Sequence, residues 1–151
     1  MQLPALELPR VIVCGSRSCH SREHRELVEH DLERAVIMFE SPIIVVHGGC
    51  RSGADLFADD WARRRGMDFE AHPADFNRFG PPAGPIRNAH MARLGAALCI
   101  ALWDGTSRGT LSMIQCAVRS GIPMWIQPVR QALPMFPLWI GEQIYGEEPI
   151  T

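Results

Sequence analysis

Three times along this chain a short aliphatic run empties into a glycine-rich turn and then into a helical pattern. Residues 10–14 (RVIVC) lead into Gly15-Ser16-Arg17, residues 43–47 (IIVVH) into Gly48-Gly49, and residues 97–103 (ALCIALW) into Asp104-Gly105. Runs this short and this continuously apolar have the character of strands buried on both faces. Parallel neighbours need a crossover long enough for a helix, so repeated strand, turn and helix predict one parallel sheet covered on both sides.

The intervening stretches carry the helical signal. From residue 21, Val28, Leu32, Ala35, Val36 and Phe39 recur at helical spacing with Arg, Glu and His between them, and Ser41-Pro42 closes the helix. A second helix over 54–65 puts Phe57, Ala58 and Trp61 on one side and ends at Gly66. Residues 68–72 read as a third, shorter strand. Residues 73–85 hold four of the chain's twelve prolines, which predicts a long loop before a helix at 86–94. The fourth strand is followed by a helix over 111–119 with Gly121 as C-cap, then by a fifth strand over 123–127. At 151 residues the chain is expected to form a single domain over 10–127, preceded by an extension over 1–9. An arm over 128–151 follows, mixing prolines with large apolar residues such as Phe136, Trp139 and Tyr145. Packing of that arm on its own domain is the expectation, with a dimer contact as the alternative.

The formal net charge is −2, and all fifteen basic residues are arginine. Lack of a clustered basic excess argues against general binding to nucleic acid or to an anionic membrane. Lack of lysine removes Schiff-base chemistry and a phosphate-loop lysine. Five cysteines without a C-x-x-C spacing predict reduced thiols in a cytoplasmic protein. No stretch approaches the ~18 apolar residues of a membrane span. Six histidines show no metal-type spacing beyond His20 and His24, which lack a third ligand nearby, and there is no G-x-S-x-G elbow. Neither a metal nor a cofactor is expected.

Turns that follow parallel strands emerge at one edge of the sheet, and ligands bind there where the strand order reverses. That edge is expected to gather Gly15, Ser16 and Arg17 with Gly48, Gly49, Arg51, Gly53 and Asp55, and with Asp104, Gly105, Ser107, Arg108, Gly109 and Thr110. Backbone N–H groups at a helix N-terminus attract an anion, and arginine forks suit phosphate. Gly48 and Gly49 are expected to let the backbone approach a ligand, a tight turn with positive φ being the other account of them. Asp55 and Asp104 read as helix or turn caps, and Asp55 alternatively as an acceptor for ribose hydroxyls.

Taken together, Val13-Cys14-Gly15-Ser16-Arg17, His47-Gly48-Gly49-x-Arg51-x-Gly53-Ala54-Asp55 with Trp61-Ala62, Arg87-Asn88-x-x-Met91, and Gly105-Thr106-Ser107-Arg108-Gly109-Thr110 resemble the YspA group, the YpsA-related branch of the SLOG superfamily, over roughly residues 10–127. The resemblance implies an α/β, Rossmann-like three-layer sandwich with a parallel sheet of about five strands and helices on both faces. It also implies a nucleotide or nucleotide-derived ligand in a signalling, prophage or defence setting, and it adds Arg87 and Asn88 to the ligand-binding set. The superfamily includes the LOG-type phosphoribohydrolases, which cleave a base from a nucleoside monophosphate and whose dimers make a homodimer the expectation here. Their signature joins an R-K-x-x-M helix, similar to residues 87–91, to a glutamate three residues after the threonine of P-G-G-x-G-T. Gly109-Thr110 resembles the end of that motif, and Met113 stands where the glutamate would be. A thioether neither stabilises the charge that builds on the ribose nor activates water. The first expectation is therefore a nucleotide sensor or sequestering protein in which Arg87 or Arg108 neutralises phosphate. A nucleotide N-glycosidase using Arg87 with Asp55 or Asp104 as acid or base is the second. A partner-binding subunit acting through the arm is the third.

Overall fold

The computed structural model describes residues 7–129. In chain order the elements are β1 (Arg10–Gly15), α1 (Arg22–Phe39), β2 (Ile44–His47), α2 (Ala54–Arg65), β3 (Asp68–Ala71), α3 (Phe76–Phe79), α4 (Ala83–Arg93), β4 (Leu98–Trp103), α5 (Arg108–Arg119) and β5 (Met124–Pro128). The five strands form one sheet in the order β3-β2-β1-β4-β5, with every neighbouring pair parallel. This is the Rossmann-like sandwich that the alternation of strand and helix predicts.

The pleat divides each central strand between two layers. Val11, Val13, Val45, Ile100 and Leu102 belong to one core, closed by Val28, Leu32 and Ala35 of α1 and by Phe57, Ala58 and Trp61 of α2. Ile12, Val46, Cys99, Ala101 and Trp103 belong to the other, closed by Met91 and Ala92 of α4 and by Met113, Ile114 and Ala117 of α5. Full burial of one such large aliphatic side chain contributes about 1.5–3 kcal/mol, so the loops at the strand ends hang from a rigid frame. β3 lies at the sheet margin and is largely exposed, which explains its faint pattern in the sequence. Arg63 covers its Phe69, with the guanidinium 4.3 Å from the ring centroid.

The proline-rich segment holds more helix than its composition suggests. One turn, α3, forms within it behind Asp75, whose side chain accepts the Arg78 N–H. α4 starts at Ala83 with Pro82 as N-cap. Pro85 then falls in the first turn, where its missing N–H has no helical acceptor to lose. α5 likewise starts at Arg108 rather than 111, with Ser107 as N-cap. Gly121, at φ +71°, follows the C-cap Ser120 instead of being the cap itself. Residues 1–6 and 130–151 lie outside the described residues, and with them most of the N-terminal extension and nearly all of the apolar arm. Among the described residues no helix is long and apolar enough to cross a membrane.

Candidate functional site

The strand order reverses between β1 and β4, because β2 and β3 extend the sheet on one side and β5 on the other. Their C-terminal ends, Gly15 and Trp103, therefore open the crevice in which sheets of this kind hold ligands. Gly15 is needed there for packing: a Cβ would stand 2.7 Å from Cβ of Ala54, so its absence lets the start of α2 close on β1. Ser16 is buried, and its N–H donates to the Leu102 carbonyl at 2.9 Å. Its hydroxyl accepts the Asp104 N–H at 3.1 Å and meets the Thr110 hydroxyl at 3.5 Å.

Asp104 organises the turn that leads into α5. Its Oδ1 accepts the N–H of Thr106 (2.9 Å), the N–H of Ser107 (2.8 Å) and the Thr106 hydroxyl, while Oδ2 accepts the Ser18 hydroxyl at 3.0 Å. Burial acts to raise this carboxyl, but those amide and hydroxyl donors outweigh it and hold the group at about 2. Gly105 follows at φ +81°, a conformation that disfavours a side chain. The Ser107 hydroxyl caps α5 through the Thr110 N–H and lies 3.2 Å from the Thr110 hydroxyl. No acidic residue occupies the first turn of α5. Arg108 and Gly109 are exposed, and their N–H groups meet no acceptor among the described residues.

The β2 side is built differently. Gly49, at φ +74°, donates its N–H to Nδ1 of the buried His47, which leaves the ring proton on Nε2 to bond Asp59 at 2.9 Å. Burial acts to raise the Asp59 carboxyl, yet hydrogen bonds from Arg63 and His47 prevail and lower it. Asp55, in the first turn of α2, is buried and accepts the Cys50 N–H at 3.1 Å. α2 thus carries a carboxylate within its first turn, whereas α5 has its nearest one, Asp104, in the turn before its N-cap. Gly53, the N-cap of α2, sits at φ +72°, and a Cβ there would come within 3.2 Å of the Cys19 carbonyl.

Arg87 of α4 crosses to this loop. Its Nη1 donates to the carbonyls of Gly48 (2.6 Å) and His72 (3.2 Å), and its Nε to Oδ1 of Asn88 (2.9 Å). Gly48 is small because Arg87 lies where its side chain would be: a Cβ would stand 2.3 Å from Nη1. The buried Asn88 also reaches the Gly109 carbonyl and the Ser112 hydroxyl, both at 3.3 Å, and so ties α4 to the start of α5.

All three turns lie on the C-terminal edge of the sheet, so the loops carrying Gly15 to Arg17, Gly48 to Asp55 and Asp104 to Thr110 share one rim. Arg17, Arg51 and Arg108 are exposed and make no ion pair among the described residues. Met113 is 1% exposed within the α4–α5 core, so this position presents no polar group to the rim. Ser18, Cys50 and the His72 carbonyl also shape the site although sequence reasoning did not single them out. A hydroxyl one residue beyond a candidate arginine is the only sequence signal that Ser18 offers. Among the described residues no group of three or more His, Cys, Asp or Glu is arranged to hold a metal.

Comparison with known proteins places this geometry in context. The profile of the YspA, cpYpsA-related SLOG family matches residues 9–79, which carry the β1 and β2 turns. The Gene 61 protein of Mycobacterium phage D29 is 39% identical over 123 residues, covering 76% of this chain and 93% of the phage protein. Among solved structures, DNA processing protein A of Streptococcus pneumoniae superposes with a TM-score of 0.63 at 21% identity. That match covers 83% of this chain and 52% of the other, so the chain spans about half of that protein's length. The molybdenum cofactor carrier protein of Chlamydomonas reinhardtii gives a TM-score of 0.54 at 17% identity, covering 80% of this chain and 76% of the carrier. The two superpositions share the Rossmann-like fold, and the phage relative matches nearly end to end: the chain belongs to the YspA, cpYpsA-related SLOG family.

Proposed function

We propose that the chain binds a nucleotide or nucleotide-derived ligand in the crevice between β1 and β4, with a phosphate on the N-terminus of α5, and that it holds the ligand as a sensor, sequestering or signalling protein. The observation that carries this reading is the asymmetry of the two helix ends. The first turn of α2 bears Asp55, while the first turn of α5 holds an arginine and no acid and presents N–H groups of Arg108 and Gly109 that meet no acceptor among the described residues; the nearest carboxylate, Asp104 in the preceding turn, is already engaged by four hydrogen bonds. Such an end attracts an anion through its dipole and its unpaired donors. The exposed Arg17 and Arg108 add positive charge, and the hydroxyls of Ser16, Ser107 and Thr110 line the approach. The family's phage relative accords with a prophage setting, and the carrier protein offers a precedent for this fold holding a small molecule.

Binding without turnover is supported by two features. Met113 stands in the core where the LOG-type glutamate would be, and the Asp104 carboxylate already accepts four hydrogen bonds from its own neighbourhood. A carboxyl held at about 2 is poorly matched to proton transfer near neutrality. Thermal shift against a panel of nucleotides tests the proposal. A bound nucleotide at about 100 times its Kd contributes roughly 2.7 kcal/mol, which raises the Tm of a domain of this size by about 5–10 °C. Arg108→Ala should reduce that shift while leaving the ligand-free Tm in place. Absence of a shift with every nucleotide would refute the reading, and release of free base at saturating nucleotide would replace it with the glycosidase.

A further inference from the structure

We propose that the corner between Asp55 and Arg87 is a hydroxyl-binding subsite that takes the vicinal diol of a pentose, so that the ligand lies with its sugar on the β2 side and its phosphate at α5. The proposal rests on the reading of α5 as the phosphate site and assigns Arg87 to the sugar rather than to the phosphate.

Both groups border Gly48, where a Cβ would stand 2.3 Å from Arg87 Nη1 and 3.1 Å from Asp55 Oδ2. They nevertheless form no ion pair with each other. Asp55 is 8% exposed, and among the described residues only Cys50 bonds it, by the amide N–H at 3.1 Å and by the thiol. Arg87 directs Nη1 to two carbonyls and Nε to Asn88, and its Nη2 has no acceptor among the described residues. The buried Asp55 carboxylate thus stands beside the half-buried Arg87 guanidinium without a direct bond between them, and among the described residues each keeps hydrogen-bonding capacity that no side chain uses.

Charge decides what fits between them. A phosphate would suit Arg87 but face the Asp55 carboxylate, and like charges at close range repel strongly where water is excluded. A hydroxyl suits both, since it donates to the carboxylate while accepting from the guanidinium. Two adjacent hydroxyls extend the same exchange across the corner. The phosphate is left to the α5 end, whose first turn holds no acid and where the nearby Asp104 carboxylate is partly neutralised by the four donors it already binds.

Isothermal titration compares each ribonucleoside 5′-monophosphate that binds with its 2′,3′-dideoxy counterpart, in the wild type and in Asp55→Asn. The amide keeps an oxygen for the Cys50 N–H, so the loop retains that bond. The subsite predicts at least ten-fold tighter binding of the ribonucleotide in the wild type and a ratio near one in Asp55→Asn. Equal affinities in the wild type, or an unchanged ratio in the variant, would overturn the subsite while leaving the phosphate site at α5 standing. If no monophosphate binds at all, both fall together.

Discussion

At the scale of single residues, the site is defined by what surrounds each side chain. Gly48 illustrates this, because its missing Cβ makes room for Arg87 within the protein itself. Gly48→Ala should force the guanidinium from between the Gly48 and His72 carbonyls and cost about 1–3 kcal/mol in denaturant unfolding. The effect should shrink in an Arg87→Ala background, since the two changes remove one shared contact. Asp104 gives a pH dependence. Its folded value of about 2 lies below the ~3.9 of an unfolded aspartate. Its contribution is therefore complete above about pH 4 and fades as pH falls toward 2. Asp104→Asn should lower stability at pH 7 and flatten the loss of stability between about pH 5 and 2, as followed by urea melts across that range. An unaltered acid limb would contradict the hydrogen-bonding pattern assigned to this carboxylate.

At the scale of elements, the two helix N-termini on the rim differ in how they are completed. Ser107 caps α5 from inside the protein, and Ser107→Ala should cost about 1 kcal/mol in Tm or denaturant measurements with or without a ligand. Arg108 makes no ion pair among the described residues, so removing it should leave stability within about 0.5 kcal/mol and act on anion affinity instead. Asn88 joins α4 to the start of α5 through two hydrogen bonds and accepts a third from Arg87 within α4. Asn88→Ala should destabilise by about 1–3 kcal/mol, because it strands the Arg87 Nε donor and removes the donor to the Gly109 carbonyl. A neutral result would mean that the two helices hold their relative position without it.

At the scale of the whole molecule, the sequence discloses the architecture because central strands buried on both faces and amphipathic helices leave strong, local patterns. Residues 54–65 match α2 to the residue for that reason, with Gly66 as its left-handed C-cap. The faint points are those where local chemistry is ambiguous. Pro82 and Pro85 look like loop residues yet sit at the N-cap and in the first turn of α4, and Ser107 reads as turn until its hydroxyl is seen capping α5. The rim loops were legible through glycines and arginines next to strand ends. The pairing of Gly48 with Arg87, 39 residues away, was not, since nothing in a linear pattern shows which distant side chain fills a glycine's space. The central claim, a phosphate held at the start of α5 on the edge where β1 and β4 diverge, is tested most directly by a two-dimensional 1H–15N NMR titration with a nucleoside monophosphate. Saturable shifts concentrated on the amides of Ser16, Arg108, Gly109 and Thr110 are the predicted result; shifts confined to other surfaces, or none at these four amides, would contradict it.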